Sequence, residues 1–544
     1  MTAGALYQLK LNTNSANNFL DHDPQISFFK IVYRKHTRFS MENIEFDPLS
    51  RQTLDFNSNV VMQGNVPRNG DLLKNVYLTF ELPEIYSGKN SSDNSNYYAY
   101  YFKWIENIGT NIFNYVNIKI SDQEMEKHYS DYISIWKELM LSDEKKQIYN
   151  KQIGHIPELY DPANGYGMNG SYPHITTSTD AATLSTRWDK SNMEASSLDN
   201  SQNIKLDTII TISEGNDYTL PSISKTKIRV PLAFWFCNDP GLVLPLIALQ
   251  YSTVSFEFEM KPFKDLYTII DINHENESTS LGKRIKPNDS ALYQMSNFTS
   301  NYTYNINPKL EGEFIFLDDA ERRRFALNDH DYLITQSRLT DKNGIPLLST
   351  VEETSAKLVP AFNPVSFITW IVKRDDLEKV NDWNNYSNWV YPTVPPYSTT
   401  IANKENKYNL TNSNNIFYTP GNTTHIEDYS MNKFKKNILT NVRIEFDGTD
   451  RISKNADYFL NQQIYQHFKT NPKDGIYVYS FSLNPSEYQP SGSCNFSNIN
   501  YPKIYFTRDT IENFTYYTNK AYIYIVSYNI LSISNGIGSM KFTN

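Results

Sequence analysis

PLAFWFCNDPGLVLPLIALQYSTVSFEFEM, residues 231–260, lies near the middle of the chain and is its longest region with little charge. Its last eight residues, Thr253 to Met260, alternate strictly. Val254, Phe256, Phe258 and Met260 share one face and Glu257 and Glu259 the other, the period of a half-buried strand. Leu232 to Cys237 is an apolar run of strand length, followed by turn chemistry at Asn238-Asp239-Pro240-Gly241. Leu244 to Leu249 is apolar throughout, and periodicity alone does not separate helix from strand there. The stretch reads as the closing strands of one β domain. Residues 261–310 are polar and read as a linker to a second.

Working outward, the same grammar recurs on both sides. Residues 1–24 are polar and read as an extended arm. Ile26 to Tyr33 reads as the first strong strand and Phe39 to Phe46 as an edge segment. Asn59 to Met62, Leu72 to Leu82 and Tyr115 to Ile120 follow, with Val76, Leu78 and Phe80 on one face. Asp131 to Leu141 carries Ile135, Trp136, Leu139 and Met140 at helical spacing, which predicts one short helix. Residues 143–205 form a long polar insertion. Strand signals resume at Leu206 to Ile212 and Lys227 to Val230. In the second half, Leu310 to Leu317 reads as a strand and Asp318 to Leu327 as a helical turn, capped by Asp318 or Asp319, with Glu321 in its first turn. Val365 to Val372 is an apolar strand. Residues 376–437 form a second polar insertion, with Trp383 and Trp389 read as exposed, like Tyr166 and Trp188 in the first. Val442 to Phe446, Ile476 to Leu483, Ile504 to Phe506 and Tyr522 to Ile533 complete the set. Many short strands with little helix predict antiparallel barrels or sandwiches, with about eight strands per half.

The chain has 544 residues, a length that favours at least two cores. Its formal net charge of −9 argues against a nucleic-acid-binding surface. A local basic group, Lys30, Arg34, Lys35 and Arg38, reads either as a solvated face or as a contact for an acidic partner. Mean hydropathy is −0.55, and no run approaches the ~20 apolar residues of a membrane span. The first 18 residues lack the pattern of a secretory signal. Cys237 and Cys494 fall in different halves and read as two buried thiols rather than a disulfide.

Few motifs suggest chemistry. Glu321-Arg322-Arg323-Arg324 reads as a structural ion-pair cluster, with an anion site as the alternative. Asp21-His22-Asp23 and Asp329-His330-Asp331 lack a second histidine at ligand spacing. Ser87-Gly88-Lys89 lacks the upstream glycine of a phosphate loop, and Asn164 to Gly167 is loop punctuation. No nucleophile–base arrangement stands out, and no catalytic, cofactor or metal residue is assigned. Asn-X-Ser/Thr sequons, Asn385 and Asn495 among them, are about as frequent as chance allows in a chain this rich in Asn, Ser and Thr.

Several stretches, in order, resemble the major capsid proteins of nucleocytoplasmic large DNA viruses. They are PQISFFKIVYRKHTRFSMENIEF (Pro24–Phe46), RNGDLLKNVYLTFELP (Arg68–Pro83), NDPGLVLPLIALQYSTVSFEFE (Asn238–Glu259), FIFLDDAERRRFA (Phe314–Ala326), SLNPSEYQPSGSCNFS (Ser482–Ser497) and YIYIVSYNILSISNGIGSM (Tyr522–Met540). The two insertions lie outside the resemblance. It implies an all-β double jelly roll: a first barrel over 25–260, a linker over 261–310 and a second barrel over 311–544. It also implies a non-enzymatic virion protein whose homotrimers form pseudo-hexagonal capsomers of an icosahedral shell. Six similar wedges around one axis tile a facet nearly as a true hexamer would. The implied partners are neighbouring capsomers, minor capsid and penton proteins, and proteins of an inner membrane layer, with assembly in the host cytoplasm. The alternatives are a minor capsid paralogue and a lectin-like or carbohydrate-active sandwich. The last needs a carboxylate pair that the sequence does not offer. Both insertions, taken to interrupt their barrels at comparable places, are expected to leave from the same end, toward the outside of the shell.

Overall fold

The computed structural model describes residues 23–46, 49–83, 100–160, 223–271, 303–348, 353–358, 363–388, 436–508 and 518–542, with residues 166–167, 283–285 and three positions near the N-terminus. Among the described residues, sixteen principal strands fall into two sets of eight. The first set is β1 (Phe39–Glu45), β2 (Val60–Asn65), β3 (Leu72–Leu82), β4 (Phe113–Ile120), β5 (Gln123–Tyr129), β6 (Thr226–Pro231), β7 (Val254–Met260) and β8 (Lys309–Leu317). The second is β9 (His330–Leu339), β10 (Thr354–Lys357), β11 (Pro364–Arg374), β12 (Leu439–Phe446), β13 (Thr449–Asn455), β14 (Ile476–Ser480), β15 (Pro502–Arg508) and β16 (Asn519–Ser534).

Pairing follows one rule twice. In the first set one sheet runs β1-β8-β3-β6 and the other β2-β7-β4-β5. In the second set the sheets run β9-β16-β11-β14 and β10-β15-β12-β13. Every strand therefore has a counterpart eight places on. Even the short pairings repeat: Leu244–Pro245 adds to β3, and Cys494–Asn495 adds to β11. All the pairs are antiparallel, and the two four-on-four sandwiches are jelly rolls.

The alternation in 253–260 appears as read. Val254, Phe256, Phe258 and Met260 are buried on β7, with Phe258 opposite Met62 and Val116. The helix read over 131–141 is α1 (Ser130–Met140). Of the two caps read, Asp318 is the one used: in α3 (Asp319–Leu327), the Glu321 N–H donates to Asp318 Oδ1 at 2.9 Å.

Five readings are corrected. Ile26 to Tyr33 is not a strand; it is irregular and exposed along its length. Its apolar run satisfies a local pattern but has no partner strand among the described residues. Leu232 to Cys237 is not a strand either. Trp235–Asn238 is one helical turn, and Phe234, Trp235 and Phe236 are all buried. A strand would have pointed neighbouring rings to opposite faces. Leu244 to Leu249 contributes only the two-residue pairing at Leu244–Pro245.

The division of the chain also moves. Leu310 to Leu317, read as opening the second barrel, is all but the first residue of β8, which is hydrogen-bonded between β1 and β3 in the first. Part of 261–310 belongs to that half as well: Tyr267–Asp271 pairs with Tyr100–Trp104, and Thr303–Asn305 with Thr53–Asp55. A polar composition concealed these pairings. Lastly, the first insertion begins with helix, α2 (Asp143–Gln152) and Pro157–Tyr160. Leu206 to Ile212, Trp188 and Trp389 lie outside the described residues, as does most of both insertions.

Candidate assembly surfaces: the seam and the bare strands

Helix α1 follows β5 directly and is wedged between the barrels. Ile133 joins the first core, while Tyr132, Ile135 and Leu139 pack with Phe367, Ile371, Val478, Tyr524 and Val526 of the second. The interior face of the same sheet packs Ile368, Trp370, Tyr477 and Ile523 into the second core. The β9-β16-β11-β14 sheet is thus covered on both faces. This explains why β11 and β14 are buried at nearly every position instead of alternately, as in a doubly covered sheet. Strands β7 and β15, covered on one face, alternate instead.

Charge is drawn into the seam and paired there. Lys373 Nζ, at the end of β11, lies 2.7 Å from Asp131 of α1 and 3.7 Å from Glu378. Burial alone would lower the Lys373 pKa, but the two carboxylates more than offset this and raise it. Lys261 Nζ sits 3.9 Å above the Trp383 ring. Burial, reinforced by nearby Lys373, lowers its amine to about 8. Lys137 on α1 is likewise lowered by burial to about 8, although it touches Glu138 at 3.2 Å. His155 is held down to about 4, by burial first and then by Lys473.

Hydrogen bonds fasten the same joint. The Asn381 amide donates to the carbonyls of Lys264 and Tyr267 at 2.8 Å each, and Trp383 Nε1 to Asp265 O at 3.0 Å. The Gln336 amide donates to Met125 O at 2.5 Å, where β9 meets β5. The Tyr251 N–H reaches Gly536 O at 3.0 Å. Trp383 is therefore a seam residue, not the exposed ring expected. Tyr132, Trp136, Trp235 and Phe367 also line a cavity of about 480 Å³ between the barrels.

The residues singled out by motif are dispersed. Arg322 grips the buried Asp71 at 3.0 Å, as a structural ion pair should, and Asp71 also accepts the Leu317 N–H. His330 Nε2 is engaged with Phe325 O at 2.8 Å and Asp331 with Lys541 at 3.3 Å, so the Asp-His-Asp triplet does not converge on a point. Asp21 and His22 lie outside the described residues. Cys237 and Cys494 are separate free thiols; burial raises the first to about 12 and also raises the second. Asn385 is buried within an Asx turn closed by the Ser387 N–H, which removes that sequon from the surface. Lys30, Arg34, Lys35 and Arg38 are exposed.

Two strands contrast with the seam. β1 and β13 are exposed almost throughout, whereas β9 and β5 are largely covered. Phe39 and Met41 stand 52% and 50% exposed on β1, and Phe28, Phe29, Ile31 and Val32 precede them at 82% or more. Sequence reasoning did not identify the seam residues Asp131, Lys373, Asn381 and Trp383. The apolar-rich, weakly alternating sequences of β11, β14 and β16 were the available signal.

The comparisons with known proteins agree with this architecture. Residues 27–317 match the family described as "Major capsid protein N-terminus", and residues 321–539 match "Large eukaryotic DNA virus major capsid protein". The chain is 28% identical to the major capsid protein of Phaeocystis pouchetii virus, with all of both chains covered. It is 24% identical to that of Paramecium bursaria Chlorella virus 1, again with full coverage of both. Among solved structures, the quasi-atomic model of the PBCV-1 virus capsid superposes with a TM-score of 0.61 at 22% identity, over 95% of this chain and all of that one. The Faustovirus major capsid protein gives 0.58 at 13% identity, over 98% and 97%. With both halves matched and the double jelly roll in place, the chain belongs to the major capsid proteins of large eukaryotic DNA viruses, structural components of the virion rather than enzymes.

Proposed function

We propose that three copies of this chain close into a pseudo-hexagonal capsomer and that such capsomers tile an icosahedral shell. The observation that carries this is the repeat of eight strands in identical order, which gives each chain two equivalent wedges. Three chains then supply six wedges around one axis, and identical contacts close the ring. The working unit boundary is placed at Asp318, after β8, so that residues 319–329 join the barrels. The partners are neighbouring capsomers, minor capsid and penton proteins, and proteins of an inner membrane layer, with assembly in the host cytoplasm and no direct contact with nucleic acid.

The two insertions occupy different topological places, which changes the reasoning behind their common end. Residues 161–205 lie between β5 and β6, whereas 389–437 lie between β11 and β12, the counterparts of β3 and β4. Each follows an odd-numbered principal strand and precedes an even-numbered one, which supports exit from the same end of side-by-side barrels. We place that end outside the shell. Light scattering on the eluted protein tests the capsomer: a trimer mass is expected, and a stable folded monomer at micromolar concentration would refute it. Limited proteolysis of particles tests the insertions, with cuts expected inside them. Protection of both in stripped particles would place them elsewhere.

A further inference from the structure

We infer that the cavity between the barrels binds a small organic ammonium compound. The apolar body of such an amine lies against the aromatic wall while its N–H groups donate to Glu126 Oε2. The site is built within one chain and does not depend on the trimer.

Both barrels contribute to the cavity. Its volume of about 480 Å³ lies within the range of small-molecule sites. Tyr132 and Trp136 of α1 and Trp235 come from the first half; Phe367, Val526 and Tyr528 come from the second. Glu126 of β5 also lines it and is only 6% exposed. Glu126 Oε1 lies 2.7 Å from His128 Nε2, and the His128 ring is stacked on Phe234 at 4.9 Å, so the carboxylate is held from one side. Glu126 Oε2 is buried and has no hydrogen-bond partner among the described residues. Deep in the same cavity, Tyr528 and Ser366 already satisfy each other: the Tyr528 hydroxyl donates to Ser366 Oγ at 3.3 Å, and Ser366 Oγ lies 3.0 Å from Ser482 Oγ. Burial first, and the Glu126 charge second, raise the pKa of the Tyr132 phenol on this wall.

A buried acceptor without a donor costs free energy, so the site is complete only when a donor reaches Oε2. The walls select the class of that donor. An anion would be repelled by the carboxylate. A divalent metal ion takes about six oxygen ligands, and the lining offers rings instead. A wholly apolar guest would leave Oε2 bare. Water would serve Oε2 but not the rings, and a buried water needs roughly two to four polar partners. An ammonium group answers both surfaces, through a charge-assisted hydrogen bond to the carboxylate and attraction to the faces of Trp and Tyr. The rim carries Lys145 and Asp239, of opposite charge, and Glu487, which is paired with Lys469 at 2.9 Å. That leaves Glu126 as the group that discriminates between ligands.

Isothermal titration calorimetry on the purified full-length protein, in its native oligomeric state, tests the site with 2-phenylethylammonium chloride and its neutral isostere 2-phenylethanol. The ammonium compound is expected to bind about tenfold more tightly, the worth of one charge-assisted hydrogen bond. Glu126→Gln should erase that preference and leave both compounds with the alcohol's affinity. Thr335→Trp, at an exposed position of β9 on the cavity wall, should fill the space and weaken both compounds, and it serves as the test if the Gln variant does not fold. With the amine bound, hydrogen exchange should slow in α1 and β16 together, because only the folded seam binds it. No binding of the amine, as expected of a cavity that holds water alone, overturns the inference. So does equal affinity for amine and alcohol, a preference that survives Glu126→Gln, or binding unchanged by Thr335→Trp.

Discussion

β1 and β9 hold the same place in two barrels of identical strand order, yet one is bare and the other covered. The same contrast separates β13 from β5. The difference is not topological, because the pairing rule is shared. It lies in what stands alongside. β9 has the first barrel beside it; β1, paired with β8 along one edge, is exposed along nearly its whole length among the described residues. Two copies of one fold thus carry different hydrophobic patterns according to which faces their own chain covers. The outward face of the β9-β16-β11-β14 sheet is apolar because α1 seals it.

The largest way to break the comparison is Trp370→Ala. The ring is fully buried, stacked 5.8 Å from Tyr477 and edge-on to Phe459 at 5.3 Å. Loss of stability of about 3–5 kcal/mol is expected. Because the same strand forms the seam, both barrels should unfold together in urea. Two separated transitions would mean that the barrels are independent and the seam incidental.

Asp131→Ala acts on the seam alone. It leaves the Lys373 ammonium buried with only Glu378 nearby at 3.7 Å. A destabilisation of up to about 3 kcal/mol follows from leaving a buried ammonium with one of its two carboxylates. Hydrogen exchange should then quicken first in α1 and in β11. Faster exchange confined to β1 and β13 would contradict this assignment of the seam.

Raising the pH offers a milder probe. Lys261 and Lys137 each have a folded pKa of about 8, below the ordinary value of 10.5. The unfolded chain therefore binds more protons between those values, and stability should increase as pH rises from about 8 to 10.5. These two groups contribute no slope well below 8. Chemical denaturation across that range should show the rise, and Lys261→Met should reduce it. An unchanged slope in the variant would assign the effect elsewhere.

The smallest effect concerns what precedes the two counterpart strands. α3 leads toward β9 and is capped by Asp318, whereas an exposed irregular segment leads into β1. Asp318→Ala should cost about 1 kcal/mol, the usual value of such a cap. The loss should appear in the thermal melt without altering the trimer mass. A change in mass would tie this helix to assembly as well.

Local periodicity made much of the fold legible. Phe256 and Phe258 face the core because a strand alternates, and Ile135 and Leu139 share a helix face because a helix turns every 3.6 residues. Asp318 caps α3 through a bond spanning three residues. These relations are settled within a few positions, so the sequence by itself determined them. It also carried the family resemblance, though through ordered segments rather than through any reactive site.

Tertiary structure alone decided the long-range relations. Phe314 and Ile315 alternate as strand residues in any domain, but only pairing with Leu73 and Leu72 places them in the first barrel. Ile26 to Tyr33 carries six apolar residues in eight, yet it is exposed, and no strand among the described residues pairs with it. Trp383 sits in a polar insertion and still closes the seam, since a cation at Lys261 and a carbonyl at Asp265 meet it from 118 to 122 residues away. Backbone periodicity is set by neighbours along the chain, whereas burial and pairing depend on distant surfaces brought together by folding, and a linear pattern does not specify which surfaces those will be.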